Sequence, residues 1–380
     1  MYPERENRNS QFKKIMIVAG EASGDLHGSN LVKAMQSIDS SINFYGVGGE
    51  KLKEAGVDII ADSSDMAVVG ITEVVSKLGF ILEVRRKLKK SIKEDRPDLL
   101  ILIDYPDFNI SLAKTAKKNN VRVFYYISPQ VWAWRRKRIN DLANCVDRMA
   151  VILPFEKEVY DRVDLDVTFV GHPLLDAVKR TRSKEEVFKT YGLKPDRITV
   201  AILPGSRESE VTRLLPEMLG AAGILKKKIP SIQFVLPLAN TLPIELISDI
   251  AGHYAVDVTI VQNTSIYDVV GESDMAMVAS GTATLEMALL EIPMIIVYKV
   301  SPFTYCAGRI FIDVEHIGLV NIIAGKRVVP ELIQGDATAE KIAEEMLAIL
   351  SDKTVMNRIR GDLRDIRKEL GNPGAAERTA

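Results

Sequence analysis

Residues 14–28 read KIMIVAGEASGDLHG, and this one stretch sets the fold class. Its first half, Ile15-Met16-Ile17-Val18-Ala19, is apolar throughout with no polar alternation, the pattern of a strand covered on both faces in a parallel sheet. Its second half leaves through Gly20 and then places Leu26, Leu31, Ala34, Met35 and Ile38 on one stripe at helical spacing, with Ser23 as the expected N-cap. Strand, glycine turn and amphipathic helix together open a doubly wound α/β domain. The turn itself reads equally well as a simple capped exit or as a wall for a phosphorylated or sugar-bearing ligand. It matches neither GxGxxG nor GxxxxGK[ST], so neither a dinucleotide site nor a P-loop is supported.

The same rhythm recurs along the chain. INFYGVGG (42–49), DLLILIDY (98–105), VRVFYYIS (121–128), RMAVILP (148–154) and VTFVG (167–171) continue the first series of strands. After Gly171-His172-Pro173 and the charged TRSKEEVFKTYGLKPDR, a second series follows: ITVAILPG (198–205), IQFVLPL (232–238), DVTIVQ (257–262), DMAMVAS (274–280) and MIIVYKV (294–300). A chain of 380 residues exceeds one core, at about 150 residues per domain. The reading is an N-terminal domain over 1–172, a C-terminal domain over 173–350 with the hinge inside 171–197, and a helical segment over 351–380 that packs back on the N-terminal domain.

Composition bounds the partners. Lys+Arg (50) and Asp+Glu (51) nearly cancel, so nucleic acid is not favoured. Only Cys145 and Cys306 are present and the N-terminal MYPERENRNSQFKK is polar, which points to a reducing cytoplasm. No apolar run approaches the roughly 18 residues of a membrane-spanning helix. Charge is nevertheless uneven, because RRKLKKSIK (85–93) carries six bases and no acid. The segment before it, 66–82, is apolar: Ile71, Val74, Val75, Leu78 and Leu82 form one helical face, and Val68, Val69, Phe80 and Ile81 add apolar area off that face. Core packing is the default for such a stripe, and docking on an anionic lipid surface or an acyl chain is the alternative.

In a parallel sheet, ligands gather outside the C-terminal strand ends. Four segments fall there: Gly20–Asp25, Ile103–Asn109, Leu203–Arg207 and Ser280–Glu286. Asp104 ends a very apolar strand just before Pro106, as a general base or as a carboxylate bonded to nearby backbone, with Asp107 competing for either role. Arg207 stands at a helix start, suited to a diphosphate or to pairing with Glu208 or Glu210. Glu286 lies one turn into the helix that SGTATLE begins, placed for ribose hydroxyls or for simple capping. The four histidines have no ligand-like spacing, and Asp164-Leu165-Asp166 lies in a charged loop away from any apolar strand exit, so no metal is expected.

Taken in order, GEASGD, AVVGITEV (67–74), IDYPDFN (103–109), YYISPQVWAWRRKRI (125–139), LPFEKEVY (153–160), FVGHPLLD (169–176), LPGSRESEV (203–211), ASGTATLE (279–286) and GNPGAAER resemble the lipid-A-disaccharide synthase family over nearly the whole chain. The resemblance implies a GT-B glycosyltransferase fold, two Rossmann-like doubly wound domains facing an interdomain cleft. It implies inverting transfer of 2,3-diacylglucosamine from UDP-2,3-diacylglucosamine to 2,3-diacylglucosamine 1-phosphate at the cytoplasmic face of the inner membrane, with no metal or cofactor. By the same resemblance Asp104 is the base. Ser23, Gly24, Asp25, Asp107, Asn109, Ser206, Arg207, Gly281, Thr282, Glu286 and Asn321 contact substrate, while Val68, Val69, Val74, Val75, Leu78 and Phe80 meet lipid or acyl chains. Some relatives form a domain-swapped homodimer through their C-terminal part, and the end at Ala380 leaves little chain for that exchange. His27 stays unassigned.

Overall fold

A computed structural model describes residues 13–66, 71–133, 138–239, 241–262, 266–301, 305 and 315–380, with the side chains of 71–77 also outside the description. The chain divides into two compact units, 1–173 together with 372–380, and 174–371.

The first unit is built on a seven-stranded parallel sheet. Its strands are β1 (Lys13–Ala19), β2 (Ile42–Gly48), β3 (Asp58–Asp62), β4 (Leu99–Ile103), β5 (Arg122–Tyr126), β6 (Arg148–Val151) and β7 (Asp166–Phe169), in the order β3-β2-β1-β4-β5-β6-β7. Alternate residues of the central strands enter two different cores. Met16, Val18, Leu100 and Leu102 pack beneath Val84, Leu88 and Ile92 of the helix Ile71–Glu94 and beneath Leu112 and Ala116 of the helix Pro106–Lys118. Ile15, Ile17, Ile101 and Ile103 pack on the other face with Leu31 and Val32 of the helix Ala22–Ile38. This two-sided burial is why β1 and β4 carry no polar alternation. β3 was not read from the sequence, since DIIAD is bounded by acids and its residues are at most half-buried, the signature of an edge strand rather than of a core one.

The second unit holds a six-stranded parallel sheet. Its strands are β8 (Thr199–Leu203), β9 (Gln233–Pro237), β10 (Val258–Val261), β11 (Met275–Ala279), β12 (Met294–Tyr298) and β13 (Glu331–Ile333), ordered β10-β9-β8-β11-β12-β13. The three-residue β13 also escaped the sequence reading, because an edge pairing of that length leaves no periodicity. The helix Glu208–Lys228 buries Val211, Leu214, Leu215, Met218 and Leu219 and packs against the helix Ala339–Ser351.

In both sheets the order reverses beside the first strand, between β1 and β4 and between β8 and β11. Connections leave these neighbours in opposite directions, so a crevice opens at their C-terminal ends. The last thirty residues divide at 371: the helix Lys353–Glu369 packs within the second unit, while the helix Ala375–Thr379 lies against Ala22–Ile38 in the first. Arg378 fastens that return, donating from Nε and Nη2 to the Val170 carbonyl at 2.9 and 2.7 Å.

Candidate active site

In the first unit Ala19 and Ile103 are register partners, so the turns after β1 and β4 leave the sheet side by side. Asp104 and Tyr105 both take left-handed backbone, φ 44° and 48°, a conformation that non-glycine residues adopt only when the surroundings enforce it. The enforcement is visible. Asn109 donates its amide to the carbonyls of Ile103 and Asp104 at 3.1 and 2.7 Å, and the fully buried Tyr125 donates its hydroxyl to the same Asp104 carbonyl at 2.5 Å. The Tyr105 ring lies over Gly20, where a Cβ would come within 2.6 Å of the ring. Glycine is therefore required at the exit of β1 by close approach. Burial pushes the Asp104 carboxyl up to about 6, with the negative charge of Glu21 adding to the rise and the Tyr105 N–H opposing it. A carboxyl tuned upward in this way is a better proton acceptor at neutral pH than an ordinary aspartate.

Several expected contact residues turn out to be committed elsewhere. The helix 22–38 is N-capped by Glu21, not Ser23, and Glu21 caps without a side-chain bond; Ser23 is exposed. Gly24 packs the helix down on Ala19 and Ile103. Asp25 is buried and accepts three backbone N–H groups, from Gly49 (2.6 Å), Leu52 (3.1 Å) and Lys51 (3.0 Å), so it caps the helix Glu50–Glu54 instead of facing a ligand. Asp107, itself exposed, is ion-paired with the buried Arg138. Asn109 is wholly buried; its amide NH₂ is spent on the main chain and supports Asp104, while its Oδ1 is buried without a hydrogen-bond partner. His27, half-exposed but with Nδ1 buried and unbonded, and the buried His172 are held neutral by desolvation, at about 4 and about 3.

In the second unit a cavity of about 390 Å³ opens at the switch point, lined by Gly205, Ser206, Arg207, Glu210, Ser280, Gly281, Thr282 and Glu286 among others. Arg207 is the N-cap residue of the long helix Glu208–Lys228, and Gly281 that of Thr282–Leu289. Gly205 has φ 114°, and a Cβ there would sit 2.4 Å from Glu210 Oε2. The Glu210 carboxylate lies at this helix start, accepting the Ser206 N–H at 3.3 Å and pairing with Arg207 at 3.4 Å. Both contacts are long, and Arg207 is 59% exposed, so a bound anion can compete for the guanidinium. Glu286, half-buried, accepts from the Tyr267 hydroxyl at 3.4 Å, and burial raises its proton affinity. Asn321 does not line this cavity. Its amide donates to Val329 O and Glu331 Oε1 and its oxygen accepts from Val328 and Val329, which exhausts two donors and two lone pairs. It braces the helix Leu319–Ala324 against β13 and has nothing left for a ligand.

On the helix Ile71–Glu94, Leu78, Phe80 and Leu82 are exposed at 46%, 39% and 38%, while Ile81 packs on the core. Val68 and Val69, and the side chains of Val74 and Val75, lie outside the described residues. Among the described residues no helix is long and apolar enough to cross a membrane.

The sequence profile of a protein family described as lipid-A-disaccharide synthetase matches residues 15–380. A lipid-A-disaccharide synthase of Syntrophus aciditrophicus is 57% identical over 97% of this chain and 96% of its own. The chain belongs to the lipid-A-disaccharide synthase family. Lipid-A-disaccharide synthases are glycosyltransferases, and the fold agrees with that assignment. A glycosyltransferase from Rickettsia africae superposes with a TM-score of 0.60 at 13% identity, over 97% of this chain and 96% of that one. A UDP-GlcNAc 2-epimerase from Neisseria meningitidis bound to UDP-GlcNAc gives 0.59 at 13% identity over 96% and 97%. At such identities the likeness is one of fold, the GT-B fold with its two Rossmann-like units. Glu156, which sequence reasoning passed over inside LPFEKEVY, is a buried acid on which the N–H groups of Ile152, Leu153 and the Trp132 indole converge; only its place after an apolar strand could have flagged it.

Proposed function

We propose that this chain transfers 2,3-diacylglucosamine from UDP-2,3-diacylglucosamine to the 6-hydroxyl of 2,3-diacylglucosamine 1-phosphate, with inversion, releasing UDP. The observation that carries the reading is Asp104: a carboxyl at the switch point of the first sheet, fixed in left-handed backbone, with its proton affinity raised to about 6. As the acceptor oxygen bonds to the donor's anomeric carbon, Asp104 takes the hydroxyl proton and the glycosyl–phosphate bond breaks toward UDP. Charge grows on the departing diphosphate, and Arg207 with the N–H groups at the start of Glu208–Lys228 meets it. Glu286 holds ribose hydroxyls. The UDP-GlcNAc-bound epimerase of like fold supports a UDP-sugar for the cavity of the second unit. Exposed Leu78, Phe80 and Leu82 beside Arg85, Arg86 and Lys89 support peripheral attachment to an anionic leaflet, the inner face of the inner membrane, where both lipid substrates reside.

Incubating the protein with both substrates in detergent should yield UDP and a β-1,6-linked tetraacyl disaccharide 1-phosphate by mass spectrometry. Substrates that persist unchanged refute the reading. Charge reversal at Arg85, Arg86 and Lys89 should weaken binding to anionic vesicles, and unchanged binding removes the membrane part alone.

A further inference from the structure

Glu286 stands on the helix Thr282–Leu289 and lines the cavity of the second unit. Among the described residues its carboxylate has one hydrogen bond and no ion pair, and that bond comes from the Tyr267 hydroxyl to Oε1 at 3.4 Å. A carboxylate has about four acceptor positions, so most of its capacity is open to a ligand. Burial, with the neighbouring Glu286 charge, pushes the Tyr267 hydroxyl above its usual range. It therefore keeps its proton and donates, and its bond opposes the rise that burial imposes on Glu286.

Tyr267 belongs to a five-residue helix, Ile266–Val270, too short to keep its place by its own hydrogen bonds. Its place is set by another segment. Asp268, 1% exposed, accepts the Thr181 N–H at 2.5 Å, the Thr181 hydroxyl at 2.8 Å and the Arg182 N–H at 3.2 Å. Arg180 donates to the Gly271 carbonyl at 3.2 Å and pairs with Glu272 at 2.9 Å. A Cβ on Gly271 would come within 2.6 Å of the Tyr267 carbonyl oxygen and 2.5 Å of Arg180 Cδ, so the helix end closes tightly on the same segment. Residues 180–182 thus clamp this helix through its middle and its end, while Ile266 at its start lines the cavity. Fastening the helix to the unit would account for the Asp268 bonds. It would not account for a hydroxyl donated to an otherwise unpartnered carboxylate of the cavity.

We infer that Tyr267 is a positioning residue for the donor nucleoside: its clamped hydroxyl holds one oxygen of the Glu286 carboxylate, so that the remaining acceptor positions are presented to the vicinal ribose hydroxyls. The inference rests on the reading that Glu286 takes the ribose. A carboxylate free to rotate gives up that freedom when the ribose binds, and one already held gives up less. The diphosphate gains nothing from this bond, so its effect is confined to the ribose end of the ligand.

The test is calorimetry of UDP and of its 2′,3′-dideoxy analogue on the parent chain, Tyr267→Phe and Glu286→Gln, each checked for folding by its thermal melt. The parent should prefer UDP by about ten- to a hundredfold, the range of hydrogen bonds to a charged group. In Tyr267→Phe that preference should shrink about three- to tenfold, because UDP weakens while the dideoxy analogue binds as in the parent. The KM of the UDP-sugar should rise in step, with kcat unchanged. A merely structural role would weaken both nucleotides alike. A folded Tyr267→Phe chain that keeps the parent's preference overturns the inference, and so does one that loses both nucleotides equally. If that variant does not fold, Tyr267→Leu is read by the same ratio with the same two outcomes. Glu286→Gln separates the levels: a parental preference retained there, or a parent with no preference at all, removes the ribose assignment itself. A preference lost in Glu286→Gln beside an unchanged one in Tyr267→Phe removes only the role of Tyr267.

Discussion

At the switch point of the first sheet the polar groups are turned inward and fastened, while at that of the second they stand around an open cavity on long, exposed contacts. Asp104 is anchored through its own main chain by Asn109 and Tyr125. Arg207 is held by one weak ion pair to Glu210. The difference suits the roles proposed for each. A proton is accepted over a fraction of an ångström, so its acceptor must be placed and tuned in advance. A diphosphate arrives from water, and its seat works best if the groups already there yield easily.

The sharpest way to break this contrast is Asp104→Asn. Turnover should fall by about 10²–10⁴-fold, the usual span for general-base removal, while UDP binding measured by calorimetry stays near the parent's. Lost UDP binding would mean that the two sites are not separable. In the parent, kcat/KM should decline as pH falls through about 6, because protonated Asp104 cannot accept a proton. A limb below pH 4 would show a base with an ordinary carboxyl.

Asn321→Ala should lower stability by about 2–3 kcal/mol, because it leaves several buried partners of the brace unbonded, and should leave UDP affinity in the folded fraction unchanged. Chemical denaturation and calorimetry read the two effects separately, and a large affinity loss without destabilisation would restore Asn321 to the ligand. Arg207→Ala should weaken UDP by about ten- to a hundredfold, the range of a charge-assisted contact, without shifting the acid limb. The smallest effect is expected of Glu210→Gln. It removes the resident carboxylate's charge, and UDP should bind up to about fivefold more tightly, in keeping with an exposed pair. Weaker binding would make Glu210 part of the seat.

The stretch KIMIVAGEASGDLHG announced a two-sided parallel strand because burial on both faces leaves a mark at every position of β1 from Ile15 to Ala19. The same was true of β4, β8 and β11, the strands that carry the candidate sites. Edge strands β3 and β13 left no such mark. Among polar residues, the position of Asp104, Arg207 and Glu286 at strand exits was legible, since it depends only on where apolar runs end. Where a side chain points was not: Asp25, close behind β1, and Asn321, in the helix Leu319–Ala324, are bound to backbone brought from 24 or more and from seven or more residues away. Small polar residues close to a site are as often its masonry as its instruments, and only the partners tell them apart. Glu156 shows the converse, a residue hidden within a recognisable motif whose weight lies in what converges on it.

The return of residues 372–380 to the first unit bears on the order in which the protein can be made. A ribosome releases the strands of that unit early, yet the piece that Arg378 fastens to Val170 is synthesised only after all of the second unit. Until then the first unit lacks the helix that buries Ala375 against Ala22–Ile38, while its neighbour already has all of its strands. A chain interrupted anywhere in the second unit would therefore leave both units unfinished, and quality control would meet one defect instead of a half-working enzyme.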